Sequence, residues 1–243
     1  MISEIHKKKL IEYRNNFLSL IDIEKEQLLK YGYGGYLYIN ESYRGHIIDD
    51  IKILNFESMY PHIMILLYEE GIIEGITKNK VKVLSNIEVE TIKNCLLNKI
   101  EVKEENISEY YKLKYYVNTL YGKLLSEKSV ICFLIKKYLE LIYNDLLSDN
   151  NNIIYIDTDM IMSRNEFDPT KLMSCFIPYT FDDIYTAFID DKKKYILSNN
   201  INELTISGFR KKTNGTYDDD FNNTIFKMRE RIRDRKLVDM GIN

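Results

Sequence analysis

Residues 152–162 have the sequence Asn-Ile-Ile-Tyr-Ile-Asp-Thr-Asp-Met-Ile-Met, in which two apolar runs flank an Asp-Thr-Asp turn. The runs 153–156 and 160–163 predict the two strands of a hairpin. Asp157 and Asp159 repel each other beside these apolar strands unless a cation lies between them. Magnesium binds one or two protein carboxylates beside substrate phosphates. The turn therefore indicates a metal site or, alternatively, an ordinary hairpin loop.

A second stretch, residues 53–61, has the sequence Ile-Leu-Asn-Phe-Glu-Ser-Met-Tyr-Pro and predicts a strand that leads directly into a helix. Pro61 is tolerated in the first turn of a helix. The free backbone N–H groups at such a helix start suit a triphosphate, and Tyr60 would stand beside it. The alternative is a Tyr-Pro helix start that packs on the core.

A third stretch, residues 114–123, has the sequence Lys-Tyr-Tyr-Val-Asn-Thr-Leu-Tyr-Gly-Lys. In a helix, Lys114, Asn118 and Tyr121 share one face. A face made of a cation, an amide and an aromatic ring is unusual for a core, which favours a binding role. The alternative is an ordinary solvated helix face.

The composition is that of a globular chain without a membrane span. Hydrophobic residues make up 45% and charged residues 29% of the 243 residues, which excludes a disordered tail or a collagen-like fibre. No run approaches about eighteen uncharged apolar residues, so no span is expected. The 3 cysteines have no CxxC spacing, which excludes a disulfide framework and a cysteine-rich zinc site and fits a reducing cytoplasm.

The charge is uneven along the chain. The net charge is -3, but residues 192–236 contain twelve Lys and Arg against six Asp and Glu. We therefore expect any polyanionic partner to bind this part of the chain.

The mixture of predicted elements gives the fold class. Apolar periodicity predicts helices over 5–30, 59–71, 88–99, 108–125, 129–147 and 221–240. Strands are predicted over 37–40, 51–56, 153–156 and 160–163, with weaker signals over 184–188, 195–197 and 204–207. Because helices and strands mix rather than alternate as βαβ units, we expect an α+β fold.

Taken together, the three stretches resemble motifs of the family B DNA polymerases. The family's first palm motif, D-x-x-S-L-Y-P, is similar to residues 55–61, with Asn55 in place of Asp and Met59 in place of Leu. Its fingers motif, K-x-x-x-N-S-x-Y-G, is similar to residues 114–122, with Thr for Ser. Its third motif, Y-x-D-T-D-S, is similar to residues 155–160, with Met for Ser.

Two shorter motifs agree with this resemblance. Lys193-Lys194-Tyr195 resembles the K-x-Y motif that holds the primer end. Gly34-Gly35-Tyr36 resembles the Y-x-G-G segment that joins the exonuclease and polymerase domains, although Gly32 occupies the tyrosine position. All five motifs follow the family's order, and their layout is closest to the protein-primed, phage ϕ29-like branch.

The resemblance implies a polymerase palm, an antiparallel sheet with helices, together with short helical fingers and a minimal thumb. Only thirty-three residues precede Gly34, so the exonuclease domain is expected to be lacking. The 52 residues between Pro61 and Lys114 leave little room for the insertions of the protein-primed branch. The implied division is an N-terminal helix over 1–30, the first part of the palm over 31–75, fingers over 76–125, the second part of the palm over 126–210 and a basic thumb over 211–243.

The resemblance also implies the site residues. Two Mg²⁺ or Mn²⁺ ions would bind Asp159, Asn55 and Phe56, and the catalytic set would be Asp159, Asp157 and Asn55. The incoming deoxynucleotide would bind at Phe56, Glu57, Ser58, Met59, Tyr60, Lys114, Asn118 and Tyr121. The primer and its duplex would bind at Gly34, Gly35, Lys123, Lys193, Tyr195, Arg210, Arg229 and Arg233.

Asn55 is the most consequential departure from the family pattern, because the family has a metal-binding aspartate there. A neutral amide removes one charge and a strong oxygen ligand, so metal affinity and rate are expected to fall steeply. Three explanations stay open. Asn55 is an engineered inactivation that traps substrate, or the chain is a natural pseudo-polymerase, or Glu57 supplies the carboxylate from the same strand face.

The resemblance implies a template-directed DNA polymerase, compact or the polymerase half of a split enzyme. The alternative is a catalytically dead, polymerase-like DNA-binding subunit of a viral replication complex. A reverse transcriptase or an RNA polymerase is disfavoured, because those palms lack the pattern of residues 114–122.

Primer–template DNA and deoxynucleoside triphosphates are the expected partners. A further protein partner is expected, namely an exonuclease subunit, a terminal protein or a clamp. The N-terminal helix either docks that partner or packs on the palm. The expected location is the host cytoplasm during phage or virus infection.

Overall fold

The computed structural model describes residues 2–20, 35–73, 86–126, 130–149, 152–165, 168–169, 177–199 and 203–240. Gly34 lies outside these ranges, and the side chains of Tyr121 and Lys123 lie outside the described part of their helix. The helices are α1 (Glu4–Leu20), α2 (Met59–Glu69), α3 (Asn86–Glu105), α4 (Ile107–Ser126), α5 (Val130–Asp149) and α6 (Asp219–Asp239). The strands are β1 (Leu37–Ile39), β2 (Ile47–Phe56), β3 (Ile153–Asp157), β4 (Met160–Ser163), β5 (Tyr179–Asp191), β6 (Lys194–Ser198) and β7 (Thr205–Ser207).

These elements group into two compact units, and the predicted α+β class is confirmed. The helical unit comprises Met1–Gly35, Phe56–Asp149 and Asp168–Pro178, and it carries helices α1 to α5. The sheet unit comprises Tyr36–Asn55, Asn150–Phe167 and Tyr179–Asn243, and it carries the sheet and α6. The five-part polymerase division stays a prediction, since the two units follow contacts within the chain rather than polymerase subdomains.

The sheet unit is built on a seven-stranded sheet with the order β1-β3-β4-β2-β5-β6-β7. The pairs β1–β3, β3–β4, β4–β2, β5–β6 and β6–β7 are antiparallel. Strands β3 and β4 are buried along almost their whole length. Burial on both faces explains why their sequences are continuous apolar runs rather than alternating ones. The core cluster of this unit includes Ile53, Tyr155 and Met162.

Strand β5 is longer than the sequence predicted. The weak signal covered 184–188, whereas the strand spans Tyr179–Asp191. Its first half carries Asp182 and Asp183, and aspartate is depleted in strands. The neighbouring strand β2 and an ion pair between Asp183 and Lys52 hold this polar half in the sheet.

Helix α6 packs against β5 through one apolar stripe. Asp218 caps its N-terminus, where Oδ1 accepts a hydrogen bond from the Phe221 N–H at 2.8 Å. Phe221, Met228 and Ile232 recur at helical spacing and are buried. This pattern explains why the predicted helix over 221–240 is confirmed.

Helix α5 forms the centre of the helical unit. Most of its side chains are buried, as expected for a helix that is hydrophobic all round. Even so, none of the described helices combines the length and apolar character that crossing a membrane requires.

Helix α1 packs against α5. Leu10 is fully buried, and the rings of Phe17 and Phe133 stack with 4.6 Å between their centroids. Of the two alternatives for the N-terminal helix, packing is therefore the one observed for residues 4–20. The expectation that the N-terminal helix docks a partner stays a prediction.

Candidate functional site

Backbone contacts fix the Asp157-Thr158-Asp159 turn, which joins β3 to β4. Thr158 has a left-handed backbone, with φ 60°, and its N–H donates to the Tyr36 carbonyl at 2.8 Å. The Thr158 hydroxyl donates to Oδ1 of Asp157 at 3.4 Å. Asp157 also pairs with Leu37 of β1. The fold thus holds both predicted carboxylates at the end of the hairpin.

A second turn, Lys192-Lys193 between β5 and β6, contacts the same hairpin through Tyr155. Lys193 has a left-handed backbone, with φ 59°, and its N–H donates to Oη of Tyr155 at 2.6 Å. The ring of Tyr195 meets the Tyr155 ring edge-on, with 5.7 Å between the centroids. Tyr155 belongs to the predicted third motif, and Lys193 and Tyr195 form the predicted K-x-Y motif. The fold therefore brings these two motifs together.

Gly208, directly after β7, makes room for the lysine turn. Its φ is +75°, and a Cβ built there would lie 2.2 Å from the Lys193 carbonyl oxygen and 2.9 Å from Cα of Lys194. Both neighbours are backbone atoms, so a larger residue would displace the turn. This position requires glycine for its conformation and for its lack of a side chain.

Partial burial perturbs the titration of this site. Burial raises the pKa of Asp157, and the Lys193 charge and the Thr158 hydroxyl oppose this only in part. Burial also raises the pKa of Tyr155 to about 12, and it raises the pKa of Tyr195. A partly dehydrated carboxylate favours a ligand that brings positive charge to it, whereas the lysine favours a phosphate.

Asn55 lies on β2, opposite Met160 of β4. Its Nδ2 donates to Oδ2 of Asp182 at 3.2 Å, so the amide is bonded to β5. Both side chains line a cavity of about 640 Å³ in the sheet unit, together with Tyr195 and Ser198. A cavity of this volume accommodates a nucleoside-sized group.

The described residues bring together part of the two-metal site that the resemblance implies, because Asn55 lies opposite Met160, the residue that follows Asp159. In the described part of the chain, no three His, Cys, Asp or Glu side chains form a group that could hold a metal ion. Asn55 offers a neutral amide that is already bonded to Asp182. Two carboxylates, those of Asp157 and Asp159, stand at the turn. This set has one carboxylate fewer than the family pattern, and the Mg²⁺ or Mn²⁺ ions stay a prediction.

The Glu57-Ser58 bend, between β2 and α2, forms a second candidate region in the helical unit. Ser58 has a left-handed backbone, with φ 53°. Nζ of Lys99 donates to Oγ of Ser58 at 2.7 Å and lies 3.5 Å from Oε2 of Glu57. Lys103 pairs with the other carboxylate oxygen of Glu57. One carboxylate thus joins two lysines of α3 to the start of α2.

This arrangement does not support the hypothesis that Glu57 replaces the carboxylate missing at Asn55. Strand β2 ends at Phe56, so the two-residue strand period does not extend to Glu57. Its carboxylate is engaged by two lysines rather than presented to a metal.

The cluster of Lys99, Lys103 and Glu57 carries net positive charge. Lys99 has only 4% of its side chain exposed, and its Nζ lies 5.2 Å from the centroid of the Tyr110 ring. Burial lowers the pKa of Lys99; Glu57 opposes this, while the charges of Lys114 and Lys103 add to it. Burial alone would raise the pKa of Glu57, but the hydrogen bond from Lys103 and the charge of Lys99 outweigh it and lower that pKa. Such a cluster suits a polyanion.

The other predicted nucleotide residues of the helical unit differ in exposure. Tyr60 is half-buried in the first turn of α2, and Lys114 and Asn118 are exposed on α4. Phe56 and Met59 are buried, so their side chains contribute packing. The roles predicted for these residues stay predictions.

The basic residues predicted to contact DNA also differ. Gly35 is half-buried, and Arg210 and Arg229 are exposed. Arg233 is exposed too, but it lies 3.8 Å from Glu230 and 3.5 Å from Asp234. These carboxylates reduce the positive charge that Arg233 offers to a phosphate.

Two further arginines of the predicted thumb are engaged within the sheet unit. Arg231 donates to Oδ2 of Asp49 at 3.2 Å, and Arg235 pairs with Asp50. The carboxylates at the start of β2 therefore neutralise part of the basic face of α6.

Sequence reasoning did not find Asp182, Lys99 or Lys103. Lys99 and Lys103 lie one helical turn apart, and this spacing could have indicated a shared helix face. The predicted helix ended at residue 99, which separated the pair. Asp182 lies in the polar half of β5, where no strand was predicted.

Two solved structures of phi29 DNA polymerase are similar to this chain in fold. The complex of that polymerase with primer–template DNA and incoming nucleotide substrates matches with a TM-score of 0.51 and 14% identity, over 91% of this chain and 62% of the other. Its orthorhombic crystal form matches with a TM-score of 0.50 and 12% identity, again over 91% of this chain and 62% of the other. No family model and no curated protein sequence matches this chain.

At this level of identity the likeness shows the fold alone. The chain has a polymerase-like α+β fold and covers 62% of the length of the phi29 DNA polymerase chains described above.

Proposed function

We propose that this chain is a family B DNA polymerase-like protein of the protein-primed, ϕ29-like type, which binds primer–template DNA and an incoming deoxynucleotide. The observation that carries the proposal is the hydrogen bond from the Lys193 N–H to Oη of Tyr155. It joins two polymerase-like motifs that lie 38 residues apart along the chain. The polymerase-like fold supports the same proposal.

In this proposal the sheet unit binds the primer strand. Lys193 contacts a backbone phosphate, and the cavity beside Tyr195 receives the terminal nucleotide. The exposed Arg210 and Arg229 add phosphate contacts, which position the DNA without reading its sequence. Three cationic contacts correspond to a slope of roughly −3 in log K against log salt concentration for duplex DNA.

The helical unit binds the triphosphate of the incoming nucleotide. Lys114 contributes positive charge from α4, and Lys99 and Lys103 contribute it from α3. Tyr60 stands beside the sugar and rejects a 2′-hydroxyl by size. The cationic cluster around Glu57 and the helix start after Ser58 support this assignment.

We further propose that nucleotidyl transfer by this exact sequence is weak or absent. Weak or absent transfer is supported by Asn55, which stands where the family pattern has a carboxylate. Its amide donates a hydrogen bond to Asp182. The chain then acts as a polymerase-like DNA-binding subunit. Both open explanations, an engineered inactivation and a natural pseudo-polymerase, agree with this proposal.

Primer extension in Mg²⁺ or Mn²⁺ buffer tests the proposal with the unaltered chain and the Asn55→Asp variant side by side. DNA affinity, measured by fluorescence anisotropy at several salt concentrations, is expected to be similar for both. Extension is expected to be much faster with Asn55→Asp. A matched control is Asn16→Asp, which adds the same charge at an exposed position of α1.

The possible results separate the two functions. Extension only after Asn55→Asp supports a polymerase whose chemistry is limited at that residue. DNA binding without extension in either chain supports the DNA-binding subunit. Failure of both chains to bind primer–template would overturn the proposal as a whole.

A further inference from the structure

The Glu57 carboxylate forms ion pairs with the two lysines that the triphosphate of a nucleotide would need. Lys99 and Lys103 both pair with it. The family motif leaves the residue type at this position open, so an acid is not required there for the nucleotide contact that the resemblance implies at Glu57. The same carboxylate lies at the start of α2, where the backbone N–H groups and the helix dipole favour negative charge.

The three side chains differ in their freedom to exchange partners. Lys99 is 4% exposed and is also bonded to Ser58, so it is held in place. Lys103 is 44% exposed, and Glu57 is 21% exposed. An approaching anion can therefore reach Lys103, and it must displace Glu57 to reach the rest of the cluster.

From this geometry we propose that Glu57 is a built-in competitor that sets the affinity of the helical unit for nucleotide phosphates. The inference rests on the proposed function, because it concerns the same triphosphate site. Without ligand, the carboxylate neutralises part of the charge of Lys99 and Lys103 and keeps the buried ammonium paired. When a triphosphate arrives, its oxygens replace the carboxylate on Lys103.

The removal of the negative charge should tighten phosphate binding. In Glu57→Gln, the ion pair with Lys103 no longer has to break, and the repulsion between Glu57 and the phosphates is lost. The amide oxygen of Gln still offers an acceptor to Lys99, so the buried lysine keeps polar partners. We expect about five- to tenfold tighter binding at low salt, with a smaller difference at high salt.

The experiment is isothermal titration calorimetry of the full chain with inorganic tripolyphosphate and with deoxyadenosine triphosphate, in buffer with a chelator. The chelator removes divalent cations, so only the protein's own charges act. The matched control is Glu109→Gln. Glu109 also forms an ion pair, but with a single lysine, Lys112, at 3.3 Å. Glu109→Gln removes the same charge from the helical unit and should stay within about twofold of the unaltered chain.

A double-variant cycle isolates the contact. If Glu57 acts through Lys103, the gain from Glu57→Gln should disappear in the Lys103→Gln background. Thermal unfolding is measured for each variant, and a cooperative transition shows that the variant is folded. If Glu57→Gln does not fold, Lys103→Gln alone decides: an unchanged affinity for tripolyphosphate overturns the proposal.

The outcomes distinguish this inference from the proposed function. Binding that is equal or weaker in Glu57→Gln overturns the competitor role and leaves the nucleotide site standing. No binding by any variant overturns both the competitor role and the nucleotide part of the proposed function. An equal gain in Glu109→Gln would show a general charge effect and would overturn the competitor role as well.

Discussion

The Asp157–Asp159 turn and the Glu57–Ser58 bend have similar backbones and opposite electrostatics. Each follows the end of a strand, and each contains a residue with a left-handed backbone, Thr158 with φ 60° and Ser58 with φ 53°. The pKa of Asp157 is raised by burial, whereas the pKa of Glu57 is lowered by its lysines in spite of burial.

The number of facing lysines accounts for this difference. Asp157 faces the charge of Lys193, but Glu57 faces Lys99 and Lys103 at contact distance. An ionised Asp157 therefore costs stability, and an ionised Glu57 contributes it. A costly charge held in a fixed turn is typical of a functional site, while a satisfied charge is typical of a structural contact or, as inferred above, of a regulator.

Gly208→Ala is expected to have the largest effect, because it displaces the backbone of Lys193, the lysine whose charge acts on Asp157. The new Cβ would lie 2.2 Å from the Lys193 carbonyl oxygen, in a glycine conformation with φ +75°. We expect a loss of about 2–4 kcal/mol in the free energy of unfolding, because backbone must move. Chemical denaturation of both chains measures the loss.

Gly215→Ala is the matched control for this variant. Gly215 has a similar φ of +81°, but no heavy atom lies within 4 Å of its added Cβ. It should lose only the conformational part, about 1 kcal/mol. An equal loss in both variants would show that the clash with Lys193 is relieved cheaply.

A smaller loss of stability is expected at the Glu57–Ser58 bend. Glu57→Gln should lower the free energy of unfolding at pH 7 by about 1–2 kcal/mol, because a charged hydrogen bond is weakened. The folded pKa of Glu57 lies below its ordinary value of 4.5, so its contribution is complete above that value and is lost as the pH falls through the folded pKa. The difference between the two chains should therefore shrink on acidification below pH 4.5.

Thermal unfolding of both chains from pH 7 to the acid range measures this trend. Glu109→Gln again serves as the control, because Glu109 faces the exposed Lys112 alone in the ion pair described above. A difference that persists unchanged in acid would remove the ion pairs of Glu57 as the cause.

Local elements were predictable from the sequence because their signal is local. The β3–β4 hairpin and helix α5 match their predictions within two residues, since continuous apolar runs mark buried elements. The Asp-Thr-Asp turn was found for the same reason, because it interrupts two apolar runs.

The contacts that give the two regions their character were not predictable, because they join distant residues. Lys193 reaches Tyr155 across 38 positions, and Lys103 reaches Glu57 across 46. The first contact depends on the order of the strands in the sheet, which no local signal specifies. The second depends on how α3 packs beside α2, which periodicity alone does not specify.

A smaller effect of opposite sign is expected at the first region. Asp157→Asn should raise the free energy of unfolding at pH 7 by about 0.5–1 kcal/mol, because it removes a partly dehydrated charge. The folded pKa of Asp157 lies above its ordinary value of 3.8, so the ionised form costs stability above the folded pKa. The gain should vanish as the pH falls below 3.8, where both states are protonated.

Calorimetric unfolding at pH 7 and in acid checks this sign. Asp157→Asn and Glu57→Gln each remove one negative charge, and they should change the free energy of unfolding in opposite directions. A loss of stability in Asp157→Asn at pH 7 would contradict the assignment of Asp157 as the costly carboxylate.

The smallest effect is expected for Asn55→Asp, which adds a carboxylate beside Asp182. In the protein, Nδ2 of Asn55 donates to Oδ2 of Asp182 at 3.2 Å. Asn55→Asp replaces that donor by an acceptor with a negative charge, so the two carboxylates repel each other. We expect a loss of about 0.3–0.5 kcal/mol in buffer without divalent cations, in line with a contact that is open to solvent. Mg²⁺ or Mn²⁺ should reverse the loss in Asn55→Asp and leave the unaltered chain nearly unchanged, because a cation bound only by the folded state stabilises it.

The double variant Asn55→Asp with Asp182→Asn removes the repulsion and should weaken the response to the cation. If the cation stabilises the unaltered chain as strongly as the variant, then Asn55 does not limit metal binding, and the proposed cause of weak transfer fails.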